Sequence, residues 1–247
     1  MTLTPHEISQ FRENGYLLFP GLIGGEKLAR YKEILDGLVD RSISMDTSQD
    51  GFALQPDEGG EVIPGRLFKV QGVCVEEPRI LDVARETAIT DRVADLIGPR
   101  LHMFGSKFFP MLPHGGTSTG WHQDNHYFGT NTDRVVSCAI YFEETDRANG
   151  CLKLLPQSHV TGELVAHESG SGTFAHGNWT KVDETQAVHV ECPGGTVVLF
   201  SANLLHGAST NTSARSRYST AWHYIPFDLE LEMFPFGKYE DRHSVRD

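Results

Sequence analysis

The alternation of apolar and polar residues predicts helices near the start of the chain. Thr4-Pro5-His6-Glu7 has the form of a capping box with proline at the first helical position, and Asn14-Gly15 provides a stop, so a short helix is expected over 5–14. A longer helix, expected to pack on a sheet, is predicted over about 25–39. Its apolar residues repeat at helical spacing: Leu28, Tyr31, Ile34, Leu35, Leu38 and Val39. Two short helices are predicted to end near Gly98-Pro99.

Runs of β-branched and aromatic residues predict strands along the rest of the chain. The run Val135–Phe142 is almost entirely apolar, as expected of a central strand that is covered on both faces. The other predicted strands are Tyr16–Phe19, Arg66–Val70, Leu101–Leu112, Thr196–Phe200 and Arg215–Trp222.

Helices followed by short strands and turns predict a mainly β protein with flanking helices and a double-stranded β-helix (jelly-roll, cupin-like) core. We expect one domain over 1–247, with helical support mainly in 1–99 and the jelly-roll core over about 100–226. Two stretches interrupt the pattern. Residues 42–65 are rich in Ser, Asp, Gly and Pro and are predicted to form a long surface loop, and residues 161–186 are predicted to form an insertion.

Composition narrows the class of protein. With 39% hydrophobic and 22% charged residues among 247, the chain is expected to be a soluble globular protein. No apolar run approaches the roughly 20 residues that a membrane span needs, and the start lacks a targeting pattern, so a cytoplasmic location without a membrane partner is expected. The net charge of -12 argues against nucleic-acid binding. Four cysteines without CxxC spacing are expected to be buried, reduced thiols.

Candidate metal ligands occur in the stretch Gly120–His126. If this stretch is extended, His122 and Asp124 lie on the same side of the chain and can bind one metal ion. Two histidines and one carboxylate, with other positions open, are typical of non-haem Fe(II) oxygen chemistry. The proposed third ligand is His206, which follows a predicted strand. His126 continues the same alternation and is the alternative ligand.

The second half of the chain resembles a known family. Arg217 and Ser219 share one face of the predicted strand over 215–222. With Trp121–Phe128, Asn149–His159 and His206-Gly207, in that order, they are similar to the phytanoyl-CoA dioxygenase-like family of Fe(II)/2-oxoglutarate oxygenases.

This resemblance implies a cofactor, two cosubstrates and a site. It implies Fe(II) bound by the two histidines and the aspartate named above, with 2-oxoglutarate and O2 as cosubstrates. Arg217 would hold the distal C5 carboxylate of 2-oxoglutarate in a bidentate pair, and Ser219 would add a hydroxyl donor. Lys69 is implied as a further 2-oxoglutarate contact. The insertion is implied to lie beside the substrate, as a lid or a substrate-contacting segment.

The implied function is hydroxylation of an unactivated C–H bond of a small molecule, with release of succinate and CO2. Related halogenases replace the carboxylate ligand, so Asp124 favours hydroxylation. Two positions depart from some relatives: Ala208 replaces a hydroxyl residue and Ile140 replaces a tryptophan. A Zn-dependent hydrolase could use the same His/Asp/His set, although it would not need Arg217 and Ser219 at the site. A non-catalytic jelly-roll binding protein is the other alternative.

Overall fold

The computed structural model describes residues 2–57, 59–116, 118–169, 177–231 and 241–247. Its α-helices are α1 (Pro5–Asn14), α2 (Gly25–Ser42), α3 (Val73–Glu76), α4 (Leu81–Ala84), α5 (Thr87–Ile97) and α6 (Asp124–Phe128), and short 3-10 helices lie at Pro78–Ile80 and Glu184–Gln186. The strands are β1 (Tyr16–Phe19), β2 (Phe52–Pro56), β3 (Val62–Gln71), β4 (Leu101–Phe109), β5 (Thr119–His122), β6 (Val136–Tyr141), β7 (Leu152–Leu154), β8 (Glu168–Ser169), β9 (Asn178–Trp179), β10 (Val188–His189), β11 (Thr196–Ser201), β12 (His206–Ala208), β13 (Ser219–Pro226) and β14 (Arg242–Arg246).

Two antiparallel sheets form the predicted jelly-roll core. The main sheet has the order β1-β11-β6-β13-β4-β3-β2, and β14 pairs with the other half of the β4 edge. The smaller sheet has the order β10-β7-β12-β5. The expectation of a mainly β fold with flanking helices is confirmed. The main sheet also takes in β1, β2, β3 and β14, which lie outside residues 100–226.

Strand β6 is the central strand that the apolar run predicted, and all six of its residues are buried. Its side chains alternate between two environments. Val136, Cys138 and Ile140 face a core shared with the helices α1, α2 and α5, whereas Ala139 and Tyr141 face the small sheet. The Ser137 side chain lies on this inner face, so β6 carries residues of both the core and the site.

The start of the chain folds as its capping signals predict. The Thr4 hydroxyl accepts a hydrogen bond from the Glu7 amide at 3.2 Å, and the Thr4 amide donates to the Glu7 carboxylate at 2.7 Å. Gly15 ends α1 with φ of 84°, a left-handed conformation that favours glycine. The region after β3 holds α3, α4 and α5 in place of the two predicted helices. All four cysteines are buried and free, as expected.

The prediction of a long surface loop over 42–65 is wrong. Strand β2 lies within this stretch and pairs with β3, and Phe52 and Leu54 are buried. The pairing register shifts at two places in this edge hairpin, so the sequence lacks the regular alternation that marks a strand. The turn that follows is held by Asp57, whose carboxylate accepts hydrogen bonds from the amides of Gly59 and Glu61.

The insertion, residues 161–186, is only partly described, because residues 170–176 lie outside the described ranges. On either side of that gap, β8 and β9 pair with each other. Among the described helices, none is long and apolar enough to cross a membrane.

Candidate iron and cosubstrate site

Two histidines face each other across neighbouring strands of the small sheet. His122 ends β5, His206 begins β12, and the two are direct register partners with ring centroids 4.2 Å apart. Gly207 allows this close approach, since a Cβ atom there would lie 2.9 Å from the Thr119 carbonyl oxygen. The small sheet therefore brings together two residues that are far apart in the sequence.

Backbone carbonyl groups fix how the two imidazoles present their nitrogens. The Nδ1 atom of His122 lies 2.8 Å from the Gly120 oxygen, and Nδ1 of His206 lies 2.9 Å from the Leu204 oxygen. Carbonyl oxygens only accept hydrogen bonds, so each Nδ1 carries the proton. The lone pair of each Nε2 is therefore available to a metal ion. Histidines that bind metals in proteins commonly have their other ring nitrogen hydrogen-bonded in this way.

Asp124 completes the group from the first residue of α6. Its carboxylate oxygens lie 3.7 Å from His122 Nε2 and 3.6 Å from His206 Nε2. The potential ligand atoms of the three residues all lie within 4.8 Å of one another, and the group could hold a metal ion. The expectation that the stretch is extended through His126 is wrong, because the extended chain ends at Gln123 and a helical turn follows.

A buried hydrogen-bond chain supports Asp124 from behind. Ser137 donates to Asp124 Oδ2 at 2.6 Å, and His223 Nδ1 lies 3.0 Å from the Ser137 hydroxyl. Lys107 Nζ lies 3.1 Å from His223 Nε2. The Lys107 ammonium can only donate hydrogen bonds, so His223 Nε2 is an acceptor and its Nδ1 carries the proton. Lys107 therefore donates to His223, His223 donates to Ser137, and Ser137 donates to Asp124. Asp124 Oδ1 stays outside this chain, free to face a metal ion.

Sequence reasoning missed this chain, because its members lie on β4, β6 and β13. Ser137 and His223 are register partners on neighbouring strands, a relation that local spacing does not encode. The available signal was polarity, since Ser137 interrupts an otherwise apolar strand and Lys107 is the one charged residue of β4. A buried polar residue on the inner face of a strand needs a partner there.

The pKa values of the group favour metal-binding protonation states. Burial, reinforced by His122, lowers the pKa of His206 to about 4, and burial lowers the pKa of His223 to about 3. Burial opposes the negative charge of Asp124, but His206, His223 and His122 hold the pKa of its carboxyl well below its usual range. At neutral pH the site therefore combines a carboxylate with neutral His206 and His223 imidazoles.

His126, the alternative ligand, does not join the metal-ligand group in the described structure. Its Nε2 lies 3.0 Å from the Asn178 side-chain amide, and its ring stacks on His167 at 4.0 Å between centroids. The chain changes from strand to helix at Asp124. The strand alternation that made His126 an alternative ligand therefore does not continue to this residue.

The segment Trp121–Phe128, called the ligand segment below, also holds the insertion in place. Trp121 Nε1 donates to the Glu184 carboxylate at 2.8 Å, and the Gln123 side-chain oxygen accepts a hydrogen bond from the Val165 backbone amide at 2.9 Å. The Tyr127 hydroxyl bridges the backbone amide and carbonyl of Asn178 at 2.8 and 3.2 Å. Side chains that alternate with the candidate metal ligands thus bind the insertion.

Arg217 lies at the other end of the site and is only 3% exposed. Its Nη1 donates to the Ser219 hydroxyl at 2.6 Å, in agreement with the prediction that the two side chains share one face. Its buried Nε makes no hydrogen bond, and no described carboxylate lies within ion-pair distance of the guanidinium. By contrast, Arg215 is half exposed and pairs with Glu144 and Asp146.

The predicted strand over 215–222 begins later than expected, since β13 spans Ser219–Pro226. Arg217 precedes the strand, and its amide donates to the carbonyls of Pro110 and Met111. Ile140, the residue expected to replace a tryptophan in the site, lies instead in the core beside the helices. The β6 side chain that lines the cavity near Arg217 is Tyr141, whose ring centroid lies 5.3 Å from the Arg217 guanidinium.

Lys69 lies on β3 and lines the same cavity. Its ammonium makes no hydrogen bond or ion pair with a described residue, and lies 5.9 Å from the Phe68 ring centroid. Burial, followed by the charge of Lys107, lowers the pKa of Lys69 to about 8. The cross-strand register places Lys69 in the row that contains Phe109 on β4 and Ser219 on β13.

One cavity of about 310 Å³ connects all these groups. His122, Asp124 and His206 line one part of it, and Arg217 and Ser219 line another. This volume is in the range of small-molecule sites. A jelly-roll that unites a His/Asp/His group with a buried arginine has the architecture of the non-haem iron dioxygenases that use 2-oxoglutarate.

The chain belongs to the phytanoyl-CoA dioxygenase (PhyH) family, whose model matches residues 11–219. A probable phytanoyl-CoA dioxygenase of Caenorhabditis elegans is 27% identical, covering 89% of this chain and 74% of the relative. A probable alpha-ketoglutarate-dependent hypophosphite dioxygenase of Stutzerimonas stutzeri is 24% identical, covering 96% of this chain and 83% of the relative. The family resemblance of the sequence, and with it the enzyme class, is confirmed.

A solved structure shows the same fold. EctD from S. alaskensis, crystallised with 2-oxoglutarate and 5-hydroxyectoine, has a TM-score of 0.75 and 18% identity, covering 93% of this chain and 78% of that chain. This likeness confirms the predicted mainly β fold.

Proposed function

We propose that His122, Asp124 and His206 bind Fe(II). The proposal is supported by the shared position of their ligand atoms, the neutral imidazole of His206 and the carboxylate oxygen left outside the Ser137 hydrogen bond. Two imidazoles and one carboxylate are a donor set suited to Fe(II), and three protein ligands leave positions for cosubstrate and O2.

We further propose that Arg217 and Ser219 hold the C5 carboxylate of 2-oxoglutarate. A buried guanidinium without an acidic partner is costly, and a planar carboxylate satisfies it by two parallel hydrogen bonds. The unpaired Arg217 Nε is the atom that fits such a ligand. The prediction that Lys69 also contacts 2-oxoglutarate stays a prediction.

The reaction that we propose is hydroxylation of a C–H bond of a small molecule. The substrate, O2 and 2-oxoglutarate give the alcohol, succinate and CO2, so one oxygen atom enters the product and the other enters succinate. Iron with 2-oxoglutarate supplies the oxidising chemistry when bound. The protein contributes the carboxylate anchor, the orientation of Asp124 by Ser137 and an enclosed cavity that limits water.

The observation that carries this function is the presence of the metal-ligand group and the unpaired, buried Arg217 in one cavity. A Zn-dependent hydrolase would need the metal-ligand group and a metal-bound water. It would not need a buried guanidinium to bind the carboxylate of a cosubstrate. A binding protein without turnover would not need open metal positions.

An anaerobic titration of the purified protein with Fe(II) and then 2-oxoglutarate tests the proposal. We expect a weak visible charge-transfer band that requires both additions and is absent when Zn(II) replaces Fe(II). After O2 is admitted, succinate release against a panel of small metabolites should identify compounds that gain one oxygen atom. Failure to form the band with both components present would overturn the cosubstrate assignment.

A further inference from the structure

Tyr141 on β6 lies beside the two residues proposed to hold the C5 carboxylate. It is the direct register partner of Ser219 on β13, so the two side chains are neighbours on the same face of the main sheet. Its ring centroid lies 5.3 Å from the Arg217 guanidinium carbon, and all three residues line the cavity. Sheet register therefore groups a guanidinium, a serine hydroxyl and a phenol hydroxyl at one end of the cavity.

The Tyr141 hydroxyl has no partner among the residues that the structure describes. The side chain is buried, and no described residue forms a hydrogen bond with its hydroxyl. Burial raises the pKa of Tyr141, and the nearby charge of Arg217 opposes this rise only in part. The phenol therefore keeps its proton at neutral pH. A buried hydroxyl without an acceptor is costly, so the hydroxyl is a donor available to a ligand.

Packing against Arg217 does not account for this hydroxyl. Attraction between a cation and an aromatic ring comes from the face of the ring, so a phenylalanine would make the same contact. A ligand carboxylate, by contrast, has about four acceptor positions, more than a bidentate guanidinium occupies. Ser219 accepts a hydrogen bond from Arg217 and keeps its own proton for such a ligand, whereas Ala208 on β12 lines the cavity without a hydroxyl. A carboxylate at Arg217 therefore has room for a further O–H donor.

We propose that the Tyr141 hydroxyl donates a hydrogen bond to the C5 carboxylate of 2-oxoglutarate and helps to select a cosubstrate that ends in a carboxylate. Arg217 supplies the charge and a bidentate pair, and Ser219 and Tyr141 add O–H donors from two neighbouring strands. Donors from different strands restrict the orientation of the ligand more than one side chain does. The proposal rests on the proposed iron and 2-oxoglutarate site, to which it adds one positioning residue.

Anaerobic equilibrium binding to the Fe(II) protein tests this assignment without turnover. The probes are 2-oxoglutarate and 2-oxopentanoate, which share the carbon chain and the 2-oxo acid group but differ in the C5 carboxylate. Affinities are measured by calorimetry and by growth of the charge-transfer band. Tyr141→Phe keeps the ring beside Arg217 and removes only the hydroxyl. Tyr224→Phe is the matched control, because Tyr224 is equally buried but its hydroxyl donates to the Ala84 carbonyl.

We expect Tyr141→Phe to weaken 2-oxoglutarate binding roughly 10- to 100-fold, the loss expected for one hydrogen bond to a charged group. Binding of Fe(II) alone should be unchanged. Binding of 2-oxopentanoate should also be unchanged, because this probe has no C5 carboxylate, so the preference for 2-oxoglutarate falls by the same factor. Tyr224→Phe should keep both affinities even where its thermal stability falls.

Two outcomes would overturn the role of Tyr141. One is an unchanged affinity of Tyr141→Phe for 2-oxoglutarate, and the other is an equal loss of affinity for both probes, which would show that the hydroxyl acts away from the C5 carboxylate. In both cases a normal charge-transfer band in the unmodified protein shows that the iron and 2-oxoglutarate site stands. Absence of that band in the unmodified protein would show that the proposed function itself fails.

Discussion

The two ends of the cavity differ in how completely the protein satisfies its own polar groups. At the metal end, the Nδ1 atoms of His122 and His206 bind backbone carbonyls, and Ser137 binds Asp124. At the other end, Arg217 has a buried Nε without a partner, and Lys69 has no hydrogen bond or ion pair with a described residue.

This difference follows from the ligands that each end is proposed to hold. A metal ion demands fixed directions, so its donors are oriented before it binds, and their remaining polar atoms are occupied by the protein. A carboxylate brings its own two oxygens, so the cations that bind it must stay unpaired until it arrives. The satisfied end is therefore the one proposed to hold the metal ion, and the unsatisfied end is the one proposed to hold the carboxylate of 2-oxoglutarate.

The largest effect is expected at the metal ligands. His122→Ala, Asp124→Ala and His206→Ala should each abolish tight Fe(II) binding, because two remaining ligands do not hold the ion firmly. Equilibrium dialysis against Fe(II) under anaerobic conditions measures this loss. His126→Ala is the control and should retain iron, since His126 binds Asn178. Full iron binding by any of the three variants would remove that residue from the proposed triad.

The next largest effect concerns the unpaired guanidinium. Arg217→Ala should cost about 2 to 5 kcal/mol of 2-oxoglutarate binding, by analogy with the loss of one member of a buried charge pair. At about 1.4 kcal/mol per decade, affinity falls roughly 30-fold to several thousand-fold. Fe(II) binding should be nearly unchanged. Arg215→Ala, which removes a half-exposed arginine, should have little effect. A large effect of Arg215→Ala alone would reverse the two assignments.

A smaller effect is expected behind the metal. Ser137→Ala removes the hydrogen bond to Asp124 Oδ2 and should weaken Fe(II) binding roughly 10- to 100-fold, as is common for partners of metal ligands. Ser106→Ala is the matched control, because Ser106 is equally buried but binds the Cys74 amide. Both variants should lose some thermal stability, and only Ser137→Ala should lose iron affinity. Equal iron affinities would show that Ser137 merely packs there.

The charge at Lys69 gives a pH dependence of known sign. Its pKa is lowered to about 8, so Lys69 is a cation below that pH and neutral above it. If Lys69 contacts 2-oxoglutarate as predicted, anaerobic binding of 2-oxoglutarate to the Fe(II) protein should weaken by up to roughly tenfold between pH 7 and pH 9, as the charged fraction of Lys69 falls. Lys69→Arg keeps its charge over this range and should flatten the profile. An unchanged slope in Lys69→Arg would show that a group other than Lys69 carries the pH dependence.

The smallest effect is expected in the insertion. Asn178→Ala removes the hydrogen bond to His126, and loss of about 1 kcal/mol of local stability should speed hydrogen exchange in residues 177–186 roughly fivefold. Gln186→Ala, an exposed substitution in the same part of the insertion, is the control. Addition of Fe(II) and 2-oxoglutarate should slow exchange there, because the ligand segment contacts the insertion and is proposed to bind the metal ion. Identical exchange in all states would separate the insertion from the site.

Local sequence was sufficient for the elements and residues with strong, short-range signals. The capping box at Thr4 and the apolar run of β6 depend on neighbouring residues, and both were predicted. The candidate ligands and Arg217 were found because their residue types and order match a known family. The structure places them in one cavity, although the ligand segment is only half extended.

Tertiary structure alone decided the contacts between strands. The pairing of Ser137 with His223, the proximity of Lys107 and the contact of Tyr141 with Arg217 all depend on the register of β4, β6 and β13. A sequence specifies which face of a strand a residue occupies, but not which residue of a distant strand lies beside it. Residue types and their order along the chain were therefore enough to find the candidate site residues. Their supporting contacts and the unpaired charges depend on how the sheets assemble.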